Sequence, residues 1–240
     1  MAVLIALLPS CAGPVSPAHD NLTQGSISSQ QVKSAAATSE NSSAVAVIPL
    51  IEAGTAQMLA AGDYDRAIAA GTGALAAAPD DETLKEKLAD AYIARAWYYK
   101  AKRLNTYTSA DLFKAVEIAP KYYRAHYELG RFHNNQWQFG IGIFDLNKAL
   151  SLKPDFAAAY SERAYSQYKN QKYEAGLADA NKAIELDPTD AQFYYNRSQI
   201  YRGMNMNDLA VSNLETTIRL SKDQSLADKA SADLLLLQPK

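Results

Sequence analysis

The chain has 240 residues, 48% of them hydrophobic and 21% charged, a balance that excludes wholesale disorder and fits an ordinary folded protein. Its 24 basic and 26 acidic residues leave almost no net field, and residues 48–240 are as evenly matched at 23 to 24, so nothing in the charge favours nucleic acid. One cysteine, Cys11, excludes an intrachain disulfide or a cysteine metal cluster, and fifteen tyrosines against six phenylalanines suit surfaces that are apolar yet wet.

The first elements in chain order are not globular. Residues 1–11 read Met1-Ala-Val-Leu-Ile-Ala-Leu-Leu8-Pro9-Ser10-Cys11. Such an apolar run is far short of the about 20 residues that span a bilayer. A run of this length, leading through a leucine and a small residue to a lone cysteine, resembles a bacterial lipoprotein signal. That resemblance implies lipidation of Cys11 and a membrane-anchored protein in the bacterial cell envelope, facing away from the cytoplasm. Two features depart from the pattern: no Lys or Arg precedes the apolar run, and Pro9 stands two places before the cysteine. The alternative is a frayed N-terminus on a cytoplasmic protein. Residues 12–47 are rich in Ser, Ala, Gln, Asn and Thr and contain no aromatic residue. They cannot bury enough apolar area to offset chain entropy, so a flexible linker is expected, with a reach of roughly 30–35 Å.

From residue 48 a periodicity takes over. Pro120, Pro154 and Pro188 follow one another at a constant interval of 34, and Pro79 precedes them by 41. An alanine stands five places before each: Ala74, Ala115, Ala149 and Ala183. Aligned on the prolines, the segments are 48–81, 82–122, 123–156, 157–190 and 191–224. Their eighth positions hold Thr55, Ala89, Gly130, Ala164 and Ser198, and their twentieth Ala67, Thr108, Gly142, Gly176 and Ala210. Small residues are needed wherever helix axes approach to the usual packing distance. Proline near the end of each segment stops a helix, because it lacks an amide donor and disfavours helix in the residue before it.

The spacing, the small positions and the closing proline resemble the tetratricopeptide repeat. The resemblance implies an all-α, right-handed solenoid of five helical hairpins over 48–224. Residues 225–237 add one more amphipathic helix, suited to cover the last apolar face as a C-terminal cap. The second segment is seven residues too long, within 93–107 by this alignment, a stretch that contains Trp97, Tyr98, Tyr99, Lys100, Lys102, Arg103 and Tyr107. Seven residues are almost two helical turns, so the faces of a lengthened hairpin keep their directions. Packing of a longer hairpin and a protruding binding knob are both open readings.

No arrangement of residues points to catalysis. The sequence has no phosphate-cradling glycine loop, no zinc-protease motif and no grouped triad. His126 and His133 lie seven apart on one helix face but occupy repeat positions where side chains pack between helices, so structural imidazoles are expected rather than metal ligands. No catalytic residue, cofactor or metal is therefore assigned, and the protein is expected not to be an enzyme.

What the resemblance implies instead is binding of a protein or peptide partner in a concave groove lined by the first helix of each hairpin. The family's contact positions correspond here to Arg124, Tyr127, Glu128, Arg131, Asn134 and Asn135, then to Ser161, Glu162, Tyr165, Tyr168 and Lys169. The fifth repeat contributes Gln192, Tyr195, Asn196, Gln199 and Arg202. Tyr, Arg and Asn are types that protein interfaces favour. The subfamily that clamps chaperone tails uses Lys and Asn where this chain has Glu52, Ala56, Glu86 and Asp90, a clear departure. The expected function is a non-enzymatic interaction scaffold on the envelope, with the membrane engaged through Cys11 only. A self-associating structural module, or a cytosolic adaptor without lipid, are the alternatives.

Overall fold

The computed structural model describes residues 57–237. Cys11, the segment 12–47 and residues 48–56 of the expected first repeat lie outside the described residues. Residues 57–60 are helical and lead into ten further helices. These are α1 (Tyr64–Ala77), α2 (Glu82–Ala101), α3 (Asn105–Ile118), α4 (Tyr123–Asn135), α5 (Phe139–Leu152), α6 (Ala157–Lys169), α7 (Tyr173–Leu186), α8 (Ala191–Gly203), α9 (Asn207–Leu220) and α10 (Gln224–Leu237). Among the described residues there is no strand. Helix α2 packs on α3, α4 on α5, α6 on α7 and α8 on α9, each pair then stacking on the next, and α10 covers α9.

The hairpin turns repeat as strictly as the prolines. Arg103, Trp137, Gln171 and Asn205 all have φ between 60° and 62° and fall one repeat period apart, while Gly62 takes the place in the first hairpin. One left-handed residue lets the next amide turn back onto the helix it has just left. Leu104, Gln138, Lys172 and Met206 accordingly donate to the carbonyls of Tyr99, His133, Gln167 and Tyr201, at 2.8–2.9 Å. That six-to-one bond satisfies carbonyls a helix end would otherwise leave unpaired.

Small residues set the helix separation. Ala67, Thr108 and Ala210 are 0% exposed, as are Ala115, Ala149, Ala183 and Thr217 seven positions further on. The crossing of α4 and α5 is tight: a Cβ on Gly130 would lie 2.8 Å from Leu146 Cγ, and one on Gly142 would collide with Asn134 Oδ1. The two histidines are structural, each less than 9% exposed. His126 Nε2 lies 2.9 Å from the Pro120 carbonyl, and His133 Nδ1 lies 2.6 Å from Asp145.

The seven extra residues belong to one helix. Helix α2 has 20 residues where α4, α6 and α8 have 13, whereas α1, α3, α5, α7 and α9 all have 14. The hairpin as a pair is not lengthened. Toward α3 and α4, side-chain bonds put the extension at the start of α2, residues 82–88, rather than within 93–107. Arg163 pairs with Asp179 and Arg197 with Asn213, each 16 residues ahead, and Arg95 pairs with Asp111 at that same interval. Asp90 likewise pairs with Arg124 one full period of 34 residues on. Toward α3 and α4, then, the repeat begins at Ala89, and Ala96 fills the eighth position.

Toward α1 the repeat begins seven residues earlier. Arg163 and Arg197 reach back 16 residues to Asn147 and Asn181, but Arg95 reaches back 30, to Asp65. Half of that extra distance is the extension, and half is a slide of α1 along α2 by seven residues, about 10 Å at 1.5 Å per residue. Gly71 then meets Leu88, where a Cβ would lie 3.0 Å from the leucine Cδ1. Ala89 and Ala96 are both 0% exposed. Both pack in the core shared with α3 and α4, and Leu88 and Ala91 meet α1.

Candidate functional site

Helices α2, α4, α6 and α8 adjoin one another along one side of the stack, the A-helix face. With α2 counted from Ala89, a central row runs through the ninth positions: Trp97, Arg131, Tyr165 and Gln199, continued by Asp233 of α10, each one full period after the last. Spacing by a whole period puts equivalent side chains one above another, and Trp97 meets Arg131 and Gln199 meets Asp233 directly.

Contacts along it are dense at the start. The Arg131 guanidinium lies 4.9 Å from the Trp97 ring and 5.5 Å from that of Tyr127. Glu128 is 6% exposed and accepts from the Trp97 indole at 3.0 Å and from Arg131 at 3.0 Å. Arg131 also lies 3.7 Å from Glu162. Burial pushes the Glu128 carboxyl above the usual range, against the pull of Arg131 and Arg124, and acts alike on Glu162 against Arg131 and Asn134. The Tyr127 phenol is raised by burial and by the Glu162 charge beside it. Its ring meets Phe156 edge-on at 4.8 Å.

Further along, Tyr165 meets Phe139 edge-on at 6.1 Å. The Lys169 ammonium lies 5.3 Å from the Tyr165 ring, 5.2 Å from Tyr168 and 5.8 Å from Trp137. Trp137 is 73% exposed on its left-handed turn. At the other end Lys100 lies 5.8 Å from each of the Trp97 and Phe132 rings.

The residues expected from sequence to line the groove divide into three groups. Arg131, Tyr165, Tyr168, Lys169 and the exposed Asn135 lie along the row beside Tyr127, and exposed Arg124 flanks them, paired with Asp90 at 3.0 Å. Asn134, Ser161 and Asn196 are buried and bond across to the next helix. Ser166 donates to Asn134 at 2.8 Å, and Asn196 donates to Ser161 at 2.9 Å. Tyr195, Gln199 and Arg202 converge on Asp233, at 3.1, 2.7 and 2.9 Å, so α10 already occupies their side of the row. Trp97 and Lys100 were not among the residues expected to line the groove, although they lie in the stretch open to reading as a binding knob, because counting α2 from residue 82 hides their positions. Ile93 and Trp97 stand at that helix's clamp positions, so the chaperone-tail clamp is absent in this frame too.

Comparison with known proteins bears on the fold. Residues 180–212 match the tetratricopeptide repeat family model. No curated protein sequence matches the chain significantly. The crystal structure of MamA is similar over 74% of this chain and 93% of its own, at 20% identity and a TM-score of 0.54. YrrB, a TPR protein with an unusual peptide-binding site, is similar over 74% and 88%, at 18% identity and a TM-score of 0.55. MamA residues 41 to the end from Desulfovibrio magneticus RS-1 match over 73% and 96%, at 15% identity and 0.56. With one repeat recognised by the family model and this fold likeness over most of its length, the chain is a helical solenoid of tetratricopeptide-type hairpins.

Proposed function

We propose that the A-helix face binds a segment of a partner protein, and that the chain works as a non-enzymatic scaffold held at the bacterial envelope through a lipid on Cys11. The observation that carries the binding reading is the row Trp97, Arg131 and Tyr165 with Lys100 and Lys169 beside it. Large amphipathic rings interleaved with cations are the side chains that anchor partners at protein interfaces, and α10 does not occupy this part of the face. The peptide-binding site of the similarly folded YrrB supports the reading by analogy of fold alone. Lipid tethering is supported by Cys11 and its apolar approach, followed by the long polar segment 12–47.

Arg131→Ala combined with Tyr165→Ala tests the binding face. The pair should lower recovery of crosslinked partner from the native organism by at least tenfold with helical circular dichroism unchanged. Equal recovery by the variant and the wild type removes the face from consideration.

A further inference from the structure

Every carboxylate along the central row has a cation. Asp90 has Arg124, Glu128 and Glu162 share Arg131, and Asp233 has Arg202. Two cations on the same face have no carboxylate partner among the described residues: Lys100, over Trp97 and Phe132, and Lys169, over Trp137, Tyr165 and Tyr168. A ring face offsets part of the water an ammonium loses, yet it leaves the three N–H donors free for an anion. Burial and the charge of Arg131 hold the Lys100 ammonium below the usual lysine range, a penalty that an incoming carboxylate relieves.

We propose that Lys100 and Lys169 are two carboxylate receptors of this face, and that the partner segment it accepts is extended and acidic, with an aromatic or apolar residue between its two acidic side chains. This rests on the peptide-binding reading and specifies its ligand. The lysines stand two repeats apart, roughly 20 Å if neighbouring helices keep the usual 8–10 Å separation. An extended chain covers that in about six residues at 3.3–3.6 Å each. Between the lysines, Arg131 is already paired with Glu128 and Glu162, and the Tyr165 ring offers an apolar surface. Both receptors meet side-chain carboxylates, so a free chain terminus is not required.

A library of random decapeptides, acetylated and amidated at the ends, screened against the full-length protein tests this. Retained peptides should be enriched in pairs of Asp or Glu about six residues apart with an aromatic or apolar residue between. Replacing both acids by amides in a retained peptide should weaken binding by about tenfold or more, as loss of charge-assisted bonds does. Lys100→Gln with Lys169→Gln should erase that preference while leaving the melting temperature in place. Retained peptides without acidic enrichment, or an enrichment that survives the lysine double variant, overturn the proposal and leave the binding face standing. Retention no greater than that of the Arg131→Ala, Tyr165→Ala variant overturns both.

Discussion

Arg95, Arg163 and Arg197 show how a single position carries the repeat. Each guanidinium bonds a residue 16 places ahead, at 2.8, 2.7 and 2.9 Å, and the acceptor is Asp, Asp and then Asn. Hydrogen-bond geometry is thus kept where the charge is not. Glu162 is a different case, since its burial works against its charge. Its folded-state pKa lies above the unfolded one, so the folded chain holds the proton more tightly and ionisation weighs against folding. The penalty is absent below the ordinary glutamate value of about 4.3 and grows as pH rises through the folded value. Glu162→Gln should therefore melt above the wild type at pH 7, with the difference vanishing near pH 4. A variant that melts lower at pH 7 would mean that pairing with Arg131 outweighs the loss of water. The sequence disclosed that Arg131, Tyr165 and Lys169 share a face, because one helix period fixes that. It did not disclose that Asn134, Ser161 and Asn196 spend their polar groups on neighbouring helices, since those partners lie 28–35 residues away.

At the scale of the element, α2 belongs to two overlapping frames. The frame that begins at Glu82 receives α1, and the frame that begins at Ala89 receives α3 and α4. The proline interval of 41 revealed the extra residues but not which end of the helix holds them. The reason is that seven residues turn a helix through nearly two full turns, with an error of only about 20°. Either frame therefore presents an alanine at the crossing, and the two cannot be told apart without contacts that cross between helices. Ala89→Leu and Ala96→Leu should each destabilise the protein by about 1–3 kcal/mol through overpacking. The effects should add, because the two sites lie about 10 Å apart along α2. Urea unfolding measures both, and a neutral result at either alanine would show that its site has room for a larger side chain.

For the whole molecule, the repeated proline and the small positions were enough to give the hairpin solenoid, because each hairpin must bury its apolar face on the next. The sequence also supplied a terminal helix, and the structure adds what that helix does: Asp233 of α10 gathers Tyr195, Gln199 and Arg202, closing the face at the fifth repeat. The proposed binding face is thereby limited to the stretch from Trp97 to Lys169. The proposed attachment at Cys11 would place that stretch at the end of a long polar segment. Metabolic labelling with a radioactive fatty acid should mark the wild-type chain and not Cys11→Ser. Equal labelling of both, or of neither, dismisses the anchor.

The chain has two tryptophans, and both stand on this stretch. Trp97 is half-buried between Arg131 and Lys100, and Trp137 projects into solvent beside Lys169. Their emission should differ in wavelength, the sheltered indole to the blue of the exposed one. A segment lying along the face would shield the second and bring its carboxylates to the cation beside each. The molecule thus carries an optical gauge at either end of the proposed binding track, and occupancy of each end can be followed without attaching a label.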